Sequence, residues 1–246
     1  MSSPPRGFVL VQGNGTNVRG GAQTDLELQA RGWHIDVGYY TLDGTPTVQN
    51  LIDGGYSFLG IDASFWGVYR ANLTLAYEAY NAGLNVLTTG NDTTWAPENP
   101  VWGGSVNTGA TSSQLIPVTP NTAESHPVSM GWSAWNDTDA KIYLSNVRST
   151  AKVVGNFTYQ GNPVPAIIAE ENPNGNGARY IHSEPYLSNA PAGLWDSLSS
   201  WLSRPGGMVQ VWDGTAWVYR PVNVWDGSKW VKRPLKAWDG TAWKNI

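Results

Sequence analysis

Residues 71–92 read ANLTLAYEAYNAGLNVLTTGND, and two different periods meet in them. Leu73, Ala76, Tyr77 and Tyr80 recur at the spacing of one helix side, and Gly83 follows as a residue able to end a helix with positive φ. NVLTT then forms a short apolar and β-branched run that stops at Gly90-Asn91-Asp92, which predicts a buried strand delivering its end to a turn. A helix feeding such a strand is half of a strand–helix–strand unit, and the sequence upstream supplies more of the same. GFVLVQGNG, from residue 7, is an apolar run ending in a glycine loop. TDLELQARG, from residue 24, opens with Thr24 and Glu27 in capping-box spacing. IDVGYYTLD reads as a second strand, Thr45 and Pro46 as the N-cap and first position of a short helix to about Asp53, and SFLGIDASFW as a third strand. This alternation predicts an α/β domain with a mainly parallel sheet and helices on both faces.

Downstream the pattern loosens and then recovers. Residues 93–150 are rich in Asn, Thr, Ser, Pro and Gly and read as loop with short strands. AKVVGNFTYQ and PVPAIIAEE are two strands joined through Gln160-Gly161-Asn162, and ARYIHSE is another after the turn ENPNGNG. PAGLWDSLSSWL is an amphipathic helix with Leu194, Leu198, Trp201 and Leu202 on one face, broken by Arg204-Pro205-Gly206-Gly207. The expected division is an α/β domain over 1–204, a linker over 205–208, and a β tail over 209–246.

The tail repeats itself. Trp212, Trp225 and Trp238 fall in one column and Trp217, Trp230 and Trp243 in another, with a 13-residue period over 209–221, 222–234 and 235–246. Between the columns each copy carries Asp-Gly: Asp213-Gly214, Asp226-Gly227 and Asp239-Gly240. Asp-Gly favours tight hairpin turns, the flanks are β-branched or aromatic, and Pro221 and Pro234 punctuate one unit from the next, so each copy predicts a β-hairpin.

Composition bounds what such a chain can do. With 246 residues, 41% hydrophobic and 14% charged, it is long enough for a good core plus an appendage. The net charge of −4 divides unevenly, the tail from 209 holding 6 basic and 3 acidic groups and the rest 9 and 16. Basic residues on hairpins are routine protection of exposed edges, so nucleic-acid binding is not expected. There is no cysteine, hence no disulfide frame, no thiolate metal site and no thiol nucleophile. The N-terminal apolar run is too short for a signal peptide, no segment has the length to span a bilayer, and the Asn-x-Thr triplets at Asn14, Asn72, Asn91, Asn136 and Asn156 are read as unmodified.

The element order, with NVLTTGND as the strand-to-turn element, SHPVSMGW in the middle, a β-hairpin, NGARYIHSEP and a closing helix, resembles the class I glutamine amidotransferase-like fold over roughly residues 7–203. The resemblance implies a flavodoxin-like three-layer domain. It also implies a nucleophile at the turn after the central strand, where this chain has Asn91, and a His-x-Glu, matched by His182 and Glu184. Two apart on a strand, His182 and Glu184 share a face and could be a base and its orienting carboxylate. A base without a nucleophile transfers no acyl group; Asn91 cannot serve, and Thr89 or Thr93 would need activation. The expectation is a degenerate, non-catalytic triad. His34 and His126 are scattered, VQGNGTNVRGG matches no phosphate-loop spacing, and Asp62 marks only a strand end, so no metal and no cofactor are expected.

The tandem V-x-V-W-D-G-[ST]-x-W-V units separated by Arg-Pro resemble carboxy-terminal repeats of structural proteins from tailed bacteriophages, especially minor tail proteins. That resemblance implies a non-enzymatic virion protein of the tail or tail tip, made in the host cytoplasm. Its partners would be other virion proteins and further copies of itself. A capsid-surface protein, a module binding host surface glycans through its indoles, and a hydrolase with a non-cysteine nucleophile remain open.

Overall fold

The computed structural model describes residues 4–11, 23–39, 45–62, 66–89, 102–107, 115–137, 142–171 and 177–203, and in the tail 208–212, 217–221, 223–225, 227–228, 230–232, 236–238 and 243–245. Up to the tail the elements run β1 (Arg6–Val11), α1 (Thr24–Ala30), β2 (His34–Tyr39), α2 (Val48–Asp53), β3 (Phe58–Asp62), α3 (Trp66–Ala82) and β4 (Asn85–Thr89). They continue with β5 (Trp102–Asn107), β6 (Ile116–Pro120), β7 (Trp135–Asp137), β8 (Ile142–Val147), β9 (Lys152–Tyr159), β10 (Asn162–Glu171), β11 (Arg179–Ser183) and α4 (Ala192–Leu202).

Nine strands form one sheet in the order β2-β1-β3-β4-β11-β10-β9-β6-β7. The half from β2 to β11 is parallel, as the alternating pattern predicts. The other half, from β11 to β7, is antiparallel, so the sheet is mixed rather than mainly parallel. The cause is local. Gln160 and Gly161 both take positive φ (49° and 80°), the geometry of a two-residue hairpin turn, and a hairpin can only return its strand antiparallel. β5 and β8 pair separately as a two-stranded ribbon.

Helices cover both faces. Leu28 of α1 and Leu194, Trp195, Leu198, Trp201 and Leu202 of α4 pack with Val9, Phe58, Leu87 and Ile181 on one side. Leu51 of α2 and Leu75, Ala76, Ala79 and Tyr80 of α3 pack with Leu59, Ile61, Val86 and Tyr180 on the other. The alternation of neighbours such as Val86 and Leu87 between these cores is the strand period made visible. The result is a three-layer arrangement. Among the described residues no helix is long and apolar enough to cross a membrane.

Three details differ from the sequence reading. α3 begins at Trp66, ahead of Ala71, and its buried stripe is Leu75, Ala76, Ala79 and Tyr80, while Tyr77 is exposed and the Leu73 side chain lies outside the described set. α2 is capped by Thr47, not Thr45: the Thr47 hydroxyl accepts the Asn50 N–H at 3.1 Å and the Asn50 side chain accepts the Thr47 N–H at 3.2 Å. Thr24 does not cap α1. It is the first helical residue, and its N–H and hydroxyl turn to a carboxylate on β3 instead.

In the tail β12 (Met208–Trp212) pairs antiparallel with β13 (Trp217–Pro221), β14 (Asn223–Trp225) with β15 (Trp230–Lys232), and β16 (Lys236–Trp238) with β17 (Trp243–Asn245). The directly opposed pairs include Trp212 with Trp217, Trp225 with Trp230 and Trp238 with Trp243. Gly227 has φ of 103°. Asp213, Gly214, Asp226, Asp239, Gly240 and residues 205–207 of the expected 205–208 linker lie outside the described residues, while Met208, its expected last residue, opens β12.

Candidate functional site

In open α/β sheets ligands bind beyond the carboxyl ends of the parallel strands, because there the chain leaves the sheet in loops and helix starts. Here that edge is formed by Val11, Asp62, Thr89 and Ser183, the last residues of β1, β3, β4 and β11. Two buried polar groups sit just inside it, one on each face of the sheet. Consecutive residues of β4 divide between them, since strand alternation sends Thr88 and Thr89 opposite ways.

The first group contains both residues of the His-x-Glu. His182 stands directly across from Thr88 in the parallel register of β11 and β4. Its Nδ1 lies 2.8 Å from the Thr88 hydroxyl, its Nε2 lies 3.2 Å from Glu184 Oε1, and the Tyr180 hydroxyl lies 3.1 Å from Thr88 Oγ1. With Glu184 accepting from Nε2–H, Nδ1 accepts from Thr88, and Thr88 accepts from Tyr180. The protons then run in one direction along four side chains. A hydroxyl, an imidazole and a carboxylate in this order have the connectivity of a nucleophile, base and orienting acid. Access is what differs: Thr88, His182 and Glu184 are all 0% exposed. The Thr88 hydroxyl, set in a strand interior, holds the imidazole nitrogen that a base would offer to a reacting group. Asn91 and the turn it belongs to lie outside the described residues.

A second buried carboxylate lies beside this chain. Glu170 of β10 accepts a hydrogen bond from Tyr80 at 3.2 Å and another from Thr150, with the Arg148 guanidinium 3.5 Å away. Tyr80 meets Tyr180 edge-on at 5.4 Å between ring centres. Burial, and next the negative charge of Glu170, push the Tyr80 phenol well above its ordinary range. Sequence reading passed over Glu170 because Glu170-Glu171 looks like a solvated strand end. The signal was there in the strand period: one of two successive residues must face inward.

The second group is built on Asp62. Its two oxygens accept the Thr24 N–H at 3.0 Å and the Thr24 hydroxyl at 2.6 Å, and the Thr89 hydroxyl lies 3.3 Å from Oδ1. Burial raises the Asp62 carboxyl to about 6, against the pull of the Thr24 hydrogen bonds, and the nearby Asp25 charge adds to the rise. Thus Asp62 gathers the start of α1 and the ends of β3 and β4 at one point.

The remaining histidines stand apart. His34 is exposed, 3.6 Å from Asp36 on the edge strand β2. His126 accepts the Val128 N–H on Nδ1 at 3.1 Å and lies edge-on to Trp201 at 5.1 Å, with burial lowering its pKa. Among the described residues no three His, Cys, Asp or Glu side chains gather as a metal site would need.

No family model matches this sequence, and no curated protein does either. Solved structures, however, match the fold. A protein described as a GMP synthase subunit from Thermoplasma acidophilum aligns with a TM-score of 0.55 at 9% identity, covering 81% of this chain and 94% of its own. A glutamine amidotransferase from Thermotoga maritima aligns with a TM-score of 0.52 at 10% identity, covering 75% of this chain and 76% of its own. A glutamine amidotransferase from Methylobacillus flagellatus gives 0.50 at 11%, over 81% of this chain and 77% of its own. At such identities the likeness speaks for architecture alone: the chain contains an α/β domain of the class I glutamine amidotransferase-like fold, built on a mixed sheet.

Proposed function

We propose that this chain is a non-enzymatic structural protein of a tailed-bacteriophage particle, placed in the tail or tail tip, with the Trp-rich hairpin units as its means of assembly. The observation that carries this reading is the tail itself. Six tryptophans in 38 residues, set opposite one another across three short hairpins, are more aromatic surface than isolated two-stranded units can bury. Repeat units of this kind need neighbours.

The body supports the reading from the other side. The chain has no cysteine, and the imidazole of His182 is committed to Thr88 and Glu184 inside the core. A fold does not bring its usual chemistry with it once the reacting group is gone. Purified particles test the proposal: the chain should be present in fixed stoichiometry with the other tail proteins. Its absence from washed particles, or glutaminase or esterase turnover that His182→Ala abolishes with the fold intact, would sink it.

A further inference from the structure

Residues 126–131, HPVSMG, lie along α4 from its last turn to its first. At the first turn the Gly131 carbonyl comes so close that no side chain would fit at Gly193. Midway the Ser197 hydroxyl donates to the Met130 carbonyl at 2.8 Å. At the last turn the His126 ring meets Trp201 edge-on, with 5.1 Å between ring centres. One short segment thus touches the whole length of the helix.

The turn that opens this segment is closed by the His126 ring. Its Nδ1 accepts the Val128 N–H at 3.1 Å, so this nitrogen carries no proton and the neutral ring keeps its proton on Nε2. A neutral imidazole takes up its second proton at the bare nitrogen. Protonation therefore falls on the very atom that holds Val128, and an acceptor becomes a donor facing another donor. Val128 is fully buried, so water cannot replace the ring unless the turn opens. The ring itself is only partly covered, and protons can reach it.

Four charged side chains face the ring: Glu124 ahead of the segment, Lys152 at the start of β9, Glu171 at the end of β10 and Arg179 at the start of β11. They pair with one another, Lys152 with Glu124 at 3.4 Å and Arg179 with Glu171 at 3.0 Å, so their charges largely offset. Burial is left to dominate, and it favours the neutral ring. Arg179 also grips α4 directly. Its Nη1 donates to the Trp201 carbonyl at 2.7 Å, and its guanidinium lies 5.1 Å from the centre of the Trp201 ring. A charged His126 would bring a second cation to the same indole.

We infer that residues 126–131 are a pH-sensitive strap on α4, closed by the unprotonated His126 ring and opened when Nδ1 takes up a proton. Acidification then loosens the helix from which the chain passes on towards the repeats. Because the folded ring binds its proton more weakly than a free histidine, the hold is complete above about pH 6.5 and is lost as pH falls through the lower folded value. The raised Asp62 carboxyl acts in the opposite direction, so a loss on acidification cannot come from it.

The test is amide hydrogen exchange of the full-length chain, followed by NMR at about pH 7.5 and about pH 5 and scored as protection over the intrinsic rate. Protection of Val128 and of the last turn of α4 should fall roughly threefold or more on acidification, while that of β3 and β4 should not fall. His126→Asn places an amide oxygen where Nδ1 stands, able to accept the same N–H without titrating. This variant should keep the protection and lose its pH dependence. Undiminished protection in the parent chain at the lower pH, or the same fall in His126→Asn, overturns the inference. Should the variant fail to fold, the parent chain decides alone. Its His126 ring should titrate below the ordinary histidine value, and the Val128 amide resonance should move with the same midpoint. A Val128 amide that ignores the ring overturns the strap as well.

Discussion

At Asp62 one side chain is asked to cap a helix from 38 residues away while fully buried, and the two demands conflict. The hydrogen bonds from Thr24 favour the ionised form, but burial favours the neutral one and prevails, holding the carboxyl near 6. A carboxyl whose folded pKa is raised binds its proton more tightly in the folded state. Its contribution to stability is therefore complete below the unfolded value, about 4, and is lost as pH rises through 6. Urea unfolding should show the chain losing up to about 3 kcal/mol from this group between pH 4 and 7. Asp62→Asn should remove that slope, and an unchanged slope in the variant would show the proton is taken up elsewhere. His182 is the second residue to test. His182→Ala takes from the buried Thr88 hydroxyl its acceptor and from the buried Glu184 carboxylate one donor, which should cost about 2–4 kcal/mol in the same assay. A loss under 1 kcal/mol would mean that water replaces the ring. His182 and Glu184 were legible in the sequence because strand alternation puts them on one face. Thr88 and Thr24 were not, since each reads as an ordinary β-former or cap until a distant strand supplies its partner.

Elements were legible where periodicity was strong and less so where the chain turns back on itself. The parallel half of the sheet follows from strand–helix alternation, and its helices are where the apolar stripes put them, give or take a turn at α3. In the antiparallel half β9, β10, β11 and the Gln160-Gly161 turn were legible, but β6 and β7 are short strands in a polar, Pro-rich region, where no period runs long enough to read. Close packing between elements leaves no trace in the pattern at all. A Cβ at Gly193, in the first turn of α4, would stand 2.2 Å from the Gly131 carbonyl oxygen, a backbone atom that cannot rotate away. Gly193→Ala should force α4 off this segment and destabilise the domain by about 1–3 kcal/mol, read as a lowered denaturation midpoint. Full stability in the variant would mean that α4 slides freely. At the tail the constraint is on φ. Gly227, with φ of 103°, sits in a conformation a β-branched side chain resists. Gly227→Val should lower the indole signal of hairpin formation far more than Ser228→Thr next to it. Equal effects would show that the turn tolerates any residue.

At the scale of the whole molecule, the described residues of the two buried clusters in the body run from Leu51 and Val9 to Tyr180 and Leu202. Both helical layers, the nine-stranded sheet and each buried polar group lie on the N-terminal side of Arg204-Pro205-Gly206-Gly207. A body with a core of this size on one side of the break is expected to fold without the tail. A chain ending at Gly206 is therefore expected to stay soluble and to keep the melting temperature of the body within about 2 °C. On the proposed virion role, the same truncation should be missing from particles, because the part proposed to make contact has been removed. Each tail indole buried against a partner contributes on the order of 1–3 kcal/mol, so even three of the six would suffice to hold a copy in place. The truncation separates two roles that the sequence leaves joined. If the shortened chain unfolds or aggregates, the hairpins complete the body and their tryptophans belong to its core. If it folds, melts as before and is excluded from particles, the hairpins are the attachment and the amidotransferase-like domain is the structure they carry.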